Sequence, residues 1–203
     1  MDGRAAVCCA VTEIEPHSVT PTLPETIADD LPAAAAIHHD GSGGIDEMLL
    51  AFAQAQRSAG RRVHGLLMAP RDRAQACMAA MVLVDIATGD EYVVSQPLGS
   101  GSTACRADPH AFARASRVLR DALASEPDLV ICDRFGSLEA ENGGFRAELL
   151  ALMEHGIPVL TAVAPLHIEA WQRFSGGAPV LPGRPDVWAA WLDAALQRRV
   201  GAD

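Results

Sequence analysis

The chain contains no lysine, because all 16 of its basic residues are arginine. With 26 acidic residues, the formal net charge is −10. Proteins that bind nucleic acid over a broad surface neutralise phosphates with clustered cations. A nucleic-acid-binding surface is therefore excluded as the main function, whereas a local cationic pocket for a small anion stays open.

Long apolar runs and paired cysteines are also missing from this sequence. No stretch approaches the roughly 20 apolar residues that a transmembrane helix needs, so we expect no insertion into a membrane. The five cysteines include no C-x-x-C pair, which removes the spacing of a zinc ribbon. Free thiols fit a reducing cytoplasm, and Cys132, inside an apolar run, is expected to be a buried hydrophobic residue.

Proline separates the start of the chain from the rest. Pro16, Pro21 and Pro24 interrupt a segment with no helical or strand period, so residues 1–31 are predicted to form a poorly ordered extension. The chain as a whole is 49% hydrophobic, which suits a single core. We predict one α/β domain over residues 32–203.

Apolar segments that alternate between strand and helix spacing define that domain. They predict a mostly parallel sheet with helices on both faces, and a β-hairpin inserted into it. The predicted strands cover residues 33–38, 63–68, 129–132 and 157–163, with the hairpin at 81–86 and 92–95. The predicted helices begin after Gly44, at Asp108 and near Phe145, Leu166 and Val187.

Asp133 directly follows the most apolar predicted strand, Leu129 to Cys132. A carboxylate at the carboxyl end of a central parallel strand stands at the crevice where α/β proteins bind ligands. In phosphate-handling folds such an aspartate holds Mg²⁺ or its water shell. The alternative is an aspartate that only ends a strand, and the residues by themselves leave both interpretations open.

A glycine-rich turn occupies the position of a phosphate-binding loop, between the first strand and the first helix. Its residues are Gly41, Ser42, Gly43 and Gly44. Backbone N–H groups in such a turn point at an anion, and the helix dipole favours negative charge. The usual loop supplies a lysine, which is absent here, and Asp46 adds a negative charge. The alternative is a helix-entry loop without a ligand.

Five short motifs occur in a fixed order, at residues 95–99, 104–109, 133–139, 144–146 and 157–161. As a set they resemble the domain-of-unknown-function family 2478, over roughly Ala33 to the C terminus. That family is similar in layout to the small nucleoside triphosphatases of the THEP type, and its members are often encoded beside molybdate-uptake genes. The resemblance implies a three-layer fold like that of P-loop NTPases, with a degenerate phosphate loop. It also implies an accessory protein that binds a nucleotide or an oxyanion, in molybdate or molybdenum handling.

The motif after the central strand departs from that family. Members usually have Asn-Lys-Phe-Gly-Lys-Gln-Glu, and Arg134 and Ser137 replace the two lysines here. In the related nucleotidases the motif is Asp-Glu-x-Gly-x-x-Glu, so Asp133 and Glu139 match two of their acids. This implies Asp133 and Glu139 as catalytic candidates, with Mg²⁺ at Asp133. Arg134 replaces the glutamate after the aspartate, which puts water activation in doubt. A magnesium-dependent nucleoside triphosphatase is therefore the alternative function.

A second polar cluster precedes the helix that starts at Asp108. Its candidate anion-binding residues are Gly99, Ser100, Gly101, Ser102, Cys105 and Arg106. Hydroxyls, backbone amides and a guanidinium suit a tetrahedral oxyanion, and the alternative is a solvated hairpin exit. We expect the anion between this loop, the Gly41–Gly44 turn and the end of the central strand, with Arg106 supplying the charge that a loop lysine usually brings.

Some features stay without an assigned role. His38 and His39 end the first strand and could face the same crevice, and Cys77 matches a family position. The expected partner is a small anion, either a nucleotide or a molybdate-like oxyanion. A homo-oligomer and a partner within a transporter are both left open by the sequence.

Overall fold

The computed structural model describes residues 33–41, 44–69, 80–97 and 105–201, and for residues 96, 97, 105 and 106 it describes the backbone alone. The predicted N-terminal extension lies outside the described residues. So do Ser42 and Gly43 of the first glycine turn, Cys77, and residues 98–104 of the second polar cluster.

Strands and helices alternate along the described chain. The strands are β1 (Ala34–His38), β2 (Val63–Met68), β3 (Val82–Asp85), β4 (Glu91–Val93), β5 (Ser95–Pro97), β6 (Cys105–Ala107), β7 (Leu129–Phe135), β8 (Val159–Val163) and β9 (Val180–Leu181). The helices are α1 (Ile45–Ser58), α2 (Pro109–Ser125), α3 (Ser137–Ala140), α4 (Arg146–Glu154), α5 (Ile168–Ser175) and α6 (Pro185–Gly201), with a 3₁₀ turn at Pro165–His167 before α5.

The main sheet has seven strands in the order β4-β3-β2-β7-β8-β1-β9. In this order the neighbouring pairs β2–β7, β7–β8, β8–β1 and β1–β9 are parallel. β3 pairs with β2 and with β4 in antiparallel fashion, so β3 and β4 form a hairpin at one edge. β5 and β6 form a separate antiparallel pair. This confirms the predicted mostly parallel α/β sheet with an inserted hairpin.

Helices cover both faces of the sheet, because its central strands are apolar on both sides. On one face α2, α4 and α5 pack on Val130, Cys132 and Val159. On the other face α1 and α6 pack on Ile37, Ile131 and Leu160. The molecule is therefore three layers thick, and Cys132 is buried as expected.

Tryptophans are divided between the two faces. Trp171 packs on the α2 side, and its indole N–H donates to the Ala178 carbonyl at 3.2 Å. Trp188 and Trp191 pack on the α1 side, where the Trp188 N–H donates to the Pro182 carbonyl at 2.7 Å. All three side chains are essentially fully buried. Their role is core packing.

The predicted helix start at Asp108 is confirmed. The Asp108 carboxylate accepts the backbone N–H of His110 at 2.9 Å, and Pro109 occupies the first helical position. Both features satisfy or remove donors that a helix start leaves without partners. This cap fixes the direction in which the chain enters α2.

A glycine lets the two central strands approach each other. Gly65 of β2 has φ +131°, and a Cβ atom there would lie 1.9 Å from the carbonyl oxygen of Ile131 in β7. No other residue type fits this contact without moving the backbone. The spacing of β2 and β7, which carry the site at their carboxyl ends, therefore depends on Gly65.

The central strand is longer than the sequence predicted. It was expected to end at Cys132, but β7 continues to Phe135 through a β-bulge at Asp133, where the register to β8 shifts. A bulge inserts an extra residue and re-aims the neighbouring side chains, so polar residues can lie inside a strand. The short elements β5, β6, α3 and β9 were not predicted either. No helix in the described ranges is long and apolar enough to cross a membrane.

Candidate functional site

A cavity of about 340 Å³ opens at the carboxyl ends of β2 and β7. Its polar lining includes Asp133, Arg134 and Glu139, and its apolar lining includes Phe112 and Leu83. In open α/β sheets ligands bind at the carboxyl ends of the strands. The cavity thus lies where the fold class predicts a binding site.

Asp133 is the extra residue of the β7 bulge, and only 8% of its surface is exposed. Its Oδ1 atom accepts the backbone N–H of Met68, at the end of β2, at 3.1 Å. Burial raises the pKa of Asp133 to about 6, against the opposing effect of the Arg134 cation. The site therefore holds a carboxyl group that titrates just below neutral pH.

Arg134, the next residue, forms an ion pair across the site. Its Nη2 atom donates to Oδ1 of Asp46, in the first turn of α1, at 2.6 Å. The two side chains are 35% and 22% exposed. The Arg134 Nε atom is buried without a hydrogen-bond partner. This pair joins the end of β7 to the start of α1, a helix that packs over β2 and β7.

His39 lies beside the ion pair, directly after β1. Its backbone N–H donates to the Val163 carbonyl at 3.1 Å, which ties the end of β1 to β8. The Nδ1 atom is buried and has no hydrogen-bond partner. Burial and the nearby Arg134 cation lower the pKa of His39. Both effects favour the neutral imidazole next to the guanidinium.

The Glu139 carboxylate is used by the backbone around it. One oxygen accepts the N–H of Gly136 at 3.0 Å, and the other accepts the N–H of Phe145 at 3.1 Å. Glu139 is 4% exposed, and Gly144 lies so close that a Cβ there would be 2.0 Å from Oε1. These contacts give Glu139 the role of shaping the loop between α3 and α4. A catalytic role for Glu139 stays an untested prediction.

The predicted glycine turns are only partly described. Gly41 and Gly44 have left-handed backbone conformations, with φ +79° and +87°, and Gly44 directly precedes α1. Ser42, Gly43, Gly99, Ser100, Gly101 and Ser102 lie outside the described residues, as do the side chains of Cys105 and Arg106. Ala107, which follows Arg106, does line the Asp133 cavity. The structure thus links the start of α1 to the end of β7 through the Asp46–Arg134 pair and places the start of α2 beside the cavity, while neither Gly41 nor Gly44 is among the residues that line it.

The Arg134–Asp46 pair is the feature that sequence reasoning missed. The sequence marks each residue as a separate departure: Arg134 replaces the glutamate that follows the aspartate in the related nucleotidases, and Asp46 adds a negative charge after the glycine-rich turn. Each charge neutralises the other, because the fold brings together residues 88 positions apart. The signal was present as two compensating charge changes at positions that the fold class places near each other.

A larger apolar groove adjoins the cavity between α2 and α4. Its volume is about 790 Å³, and it shares Ala107, Phe112 and Leu138 with the Asp133 cavity. Arg120 and Glu148 form an ion pair of 2.8 Å in its lining. The Asp133 cavity thus continues into a mainly apolar surface on the α2 side of the sheet.

A magnesium ion would find limited protein ligation here. Within the described ranges no group of three or more His, Cys, Asp or Glu residues could enclose a metal ion. Mg²⁺ bound to phosphates usually takes only one or two carboxylates and keeps several waters. Asp133 fits that requirement, because it brings a carboxylate to the cavity lining.

Comparison with known proteins gives matches at the levels of sequence and fold. The model of the family "Protein of unknown function (DUF2478)" matches residues 34–191. The protein named "Molybdenum import ATP-binding protein ModC 2" from Bradyrhizobium diazoefficiens is 35% identical over 191 residues. That match covers 93% of this chain but 21% of the relative, so the chain spans only a small part of it.

Two solved structures share the fold. THEP1 from the hyperthermophile Aquifex aeolicus matches with a TM-score of 0.55 at 14% identity, over 81% of this chain and 97% of that one. A human cancer-related nucleoside triphosphatase matches with a TM-score of 0.52 at 14% identity, over 81% of this chain and 94% of that one. At this identity the likeness establishes the fold alone.

Proposed function

Because the chain belongs to the DUF2478 family of proteins of unknown function and has a P-loop NTPase fold, we propose that it binds a nucleotide or a smaller oxyanion around Arg134. We further propose that it does not hydrolyse a nucleotide at ordinary enzymatic rates. The binding protein would then keep the architecture of a nucleoside triphosphatase while its site is specialised for holding an anion.

The Arg134–Asp46 ion pair is the observation that carries this proposal. A P-loop enzyme uses a lysine to reach the outer phosphates and a carboxylate near the metal to orient the attacking water. Here the chain has no lysine, and an arginine follows Asp133 where the related nucleotidases have glutamate. A guanidinium holds oxyanions well but does not accept a proton at neutral pH. The replacement therefore favours binding over hydrolysis.

The remaining parts of the proposed site are backbone and helix dipole. Gly41 and Gly44 supply the left-handed turn before α1, and the amino end of that helix favours an anion. Arg106, Ser100 and Ser102 stay candidates from the sequence. The backbone of Arg106 directly precedes Ala107, which lines the cavity.

Molybdate is the oxyanion that we propose first. The support is the name of the relative from Bradyrhizobium diazoefficiens, a molybdenum import ATP-binding protein, 35% identical over 191 residues. Molybdate is a tetrahedral dianion, so a guanidinium can contact two of its oxygens at once. A partner in a transporter follows from the same name alone and stays a prediction.

Thermal-shift measurements with ATP, GTP, molybdate, tungstate and phosphate, each with and without Mg²⁺, test the proposal. A ligand at a hundredfold over its dissociation constant should stabilise the protein by roughly 2.7 kcal/mol. The shift should fall in Arg134→Gln. It should persist in Arg117→Ala, because Arg117 pairs with Asp121 on the exposed face of α2. The absence of any shift with all five anions would contradict the proposal.

The alternative, a magnesium-dependent nucleoside triphosphatase, is favoured by Asp133 at the cavity. Phosphate release from ATP and GTP with Mg²⁺ separates the two functions. We expect turnover far below roughly 1 s⁻¹, the lower end of common enzyme rates. Turnover at or above that rate that disappears in Asp133→Asn would favour the enzyme and overturn the binding-only proposal.

A further inference from the structure

We propose that Asp46 is a built-in competitor for the anion, and that a ligand reaches Arg134 by displacing the Asp46 carboxylate. This inference rests on the proposed function and adds what limits the affinity of the same site for its ligand. The contacts of one guanidinium carry it.

Arg134 uses only part of its hydrogen-bonding capacity in the ion pair. A guanidinium has five N–H donors in a rigid fork. The Nη2 atom donates to Asp46, while the Nε atom is buried and has no partner. A carboxylate held through one oxygen leaves the fork incompletely satisfied. A tetrahedral oxyanion in the same place could accept two parallel N–H bonds, which is the stronger arrangement.

Asp46 is positioned so that it can leave. It lies in the first turn of α1 and its side chain is 22% exposed, so a change of rotamer can carry the carboxylate toward solvent. Arg134 is 35% exposed, so a ligand from solution can reach it. The amino end of α1 favours a negative charge whether Asp46 or a ligand supplies it. The carboxylate thus imitates an anion at the site.

Competition of this kind acts on every anion that binds at Arg134. Breaking the Arg134–Asp46 pair costs the same free energy whatever the ligand, and the displaced carboxylate then repels a dianion more strongly than a monoanion of the same shape. Asp46 should therefore weaken the binding of dianions at least as much as that of monoanions. Perrhenate and molybdate provide this comparison, because both are tetrahedral oxyanions of metals and they differ in charge.

Removing the competitor should tighten binding. In Asp46→Asn the side chain keeps its shape and loses its charge. Molybdate and ATP titrated into this variant by calorimetry should bind roughly tenfold more tightly than to the wild type. A tenfold change in affinity corresponds to the lower end of the free energies measured for hydrogen bonds to charged groups. The gain should be at least as large for molybdate as for perrhenate, because the displaced carboxylate repels the dianion more strongly.

Glu47 provides a matched control. It follows Asp46 in the same first turn of α1, and its side chain is exposed. Glu47→Gln removes the same formal charge from the same helix end. Equal gains in affinity in Asp46→Asn and Glu47→Gln would show that the loss of any negative charge near the site is enough, and would overturn the inference. The gain should also vanish when Asp46→Asn is combined with Arg134→Gln, or with the uncharged Arg134→Met should the first double variant not fold.

The outcomes separate the inference from the proposed function. If the wild type and Asp46→Asn bind molybdate and ATP equally, Asp46 does not compete and the proposed function stands. If neither binds any of the anions while circular dichroism shows both to be folded, the proposed function fails and the inference fails with it. Tighter binding in Asp46→Asn that depends on Arg134 supports both.

Discussion

At the scale of single residues, the site depends on a carboxyl group that the fold keeps out of water. Asp133 is buried in the β7 bulge, accepts one backbone N–H and lies next to Arg134. Burial disfavours the charged form more than the neighbouring cation and the hydrogen bond favour it. The charge of the Asp133 cavity therefore changes near the upper end of the acidic range.

The free energy of unfolding should depend on pH because of this titration. The pKa of Asp133 is raised from 3.8 to about 6, so in that interval the folded state holds a proton that the unfolded state has lost. Stability should fall as pH rises through the interval, by on the order of 3 kcal/mol, and then level off. Urea unfolding of wild type and Asp133→Asn in chelator-containing buffer, from pH 4 to pH 7, measures it. A difference between the two proteins that does not change with pH would contradict the burial argument.

Gly144 and Glu139 form a second coupled pair at the same scale. Gly144→Ala would place a Cβ 2.0 Å from Glu139 Oε1, at a backbone φ of +57°. We expect a loss of about 2–4 kcal/mol, because strain adds to the disturbed hydrogen bonds of Glu139. Gly89→Ala is the control, since Gly89 has φ +81° with open space around it. Equal losses in urea unfolding of the two variants would show that the Glu139 contact contributes nothing.

At the scale of secondary structure elements, the central strand illustrates what the sequence could predict. Leu129 to Cys132 predicted a buried strand, and the structure has it. Asp133 and Arg134 suggested its end, because charged residues rarely lie inside a strand buried on both faces. The bulge resolves this conflict by giving each side chain a polar partner, the Met68 backbone N–H for Asp133 and the Asp46 carboxylate for Arg134. Such a solution depends on Met68 and Asp46, which are distant in sequence.

The pairing of β2 with β7 should be the most sensitive part of the sheet. Gly65→Ala would bring a Cβ to 1.9 Å from the Ile131 carbonyl oxygen, in the middle of the parallel register. We expect this variant to be destabilised by about 4 kcal/mol or more, or not to fold, because neither backbone can withdraw without breaking the ladder. Gly60→Ala, in the open turn before β2, should cost far less. Similar melting temperatures for both variants would refute this.

At the scale of the whole molecule, fold class was predictable and the site only in part. Alternating apolar periods predict a three-layer α/β domain because each layer must bury an apolar face. The same patterns place Asp133 near a ligand crevice. They do not determine which charges meet, since Arg134 and Asp46 are 88 positions apart and pair only through the strand order. The contribution of residues 99–106 stays a prediction.

The N-terminal segment provides a test at this scale. Its proline content and lack of period predict that residues 1–31 are dispensable for folding. Deleting them should leave the melting temperature within a few degrees of that of the full chain. This change is smaller than the one expected from a loss of roughly 1 kcal/mol in the free energy of unfolding. A large decrease in differential scanning calorimetry would show that the segment packs on the domain. Anion titrations of the shortened chain should match those of the full chain.

The three buried tryptophans are intrinsic fluorescence probes of the two helical layers. Trp171 reports on the layer formed by α2, α4 and α5, and Trp188 and Trp191 report on the layer formed by α1 and α6. Replacing Trp171 by Phe, or the other two by Phe, leaves emission from one side of the sheet only. If the sheet makes unfolding cooperative, both reporters should give the same urea midpoint as the backbone signal. Separate midpoints would identify one layer that opens independently, and ligands bound at α1 would then shift one emission curve more than the other.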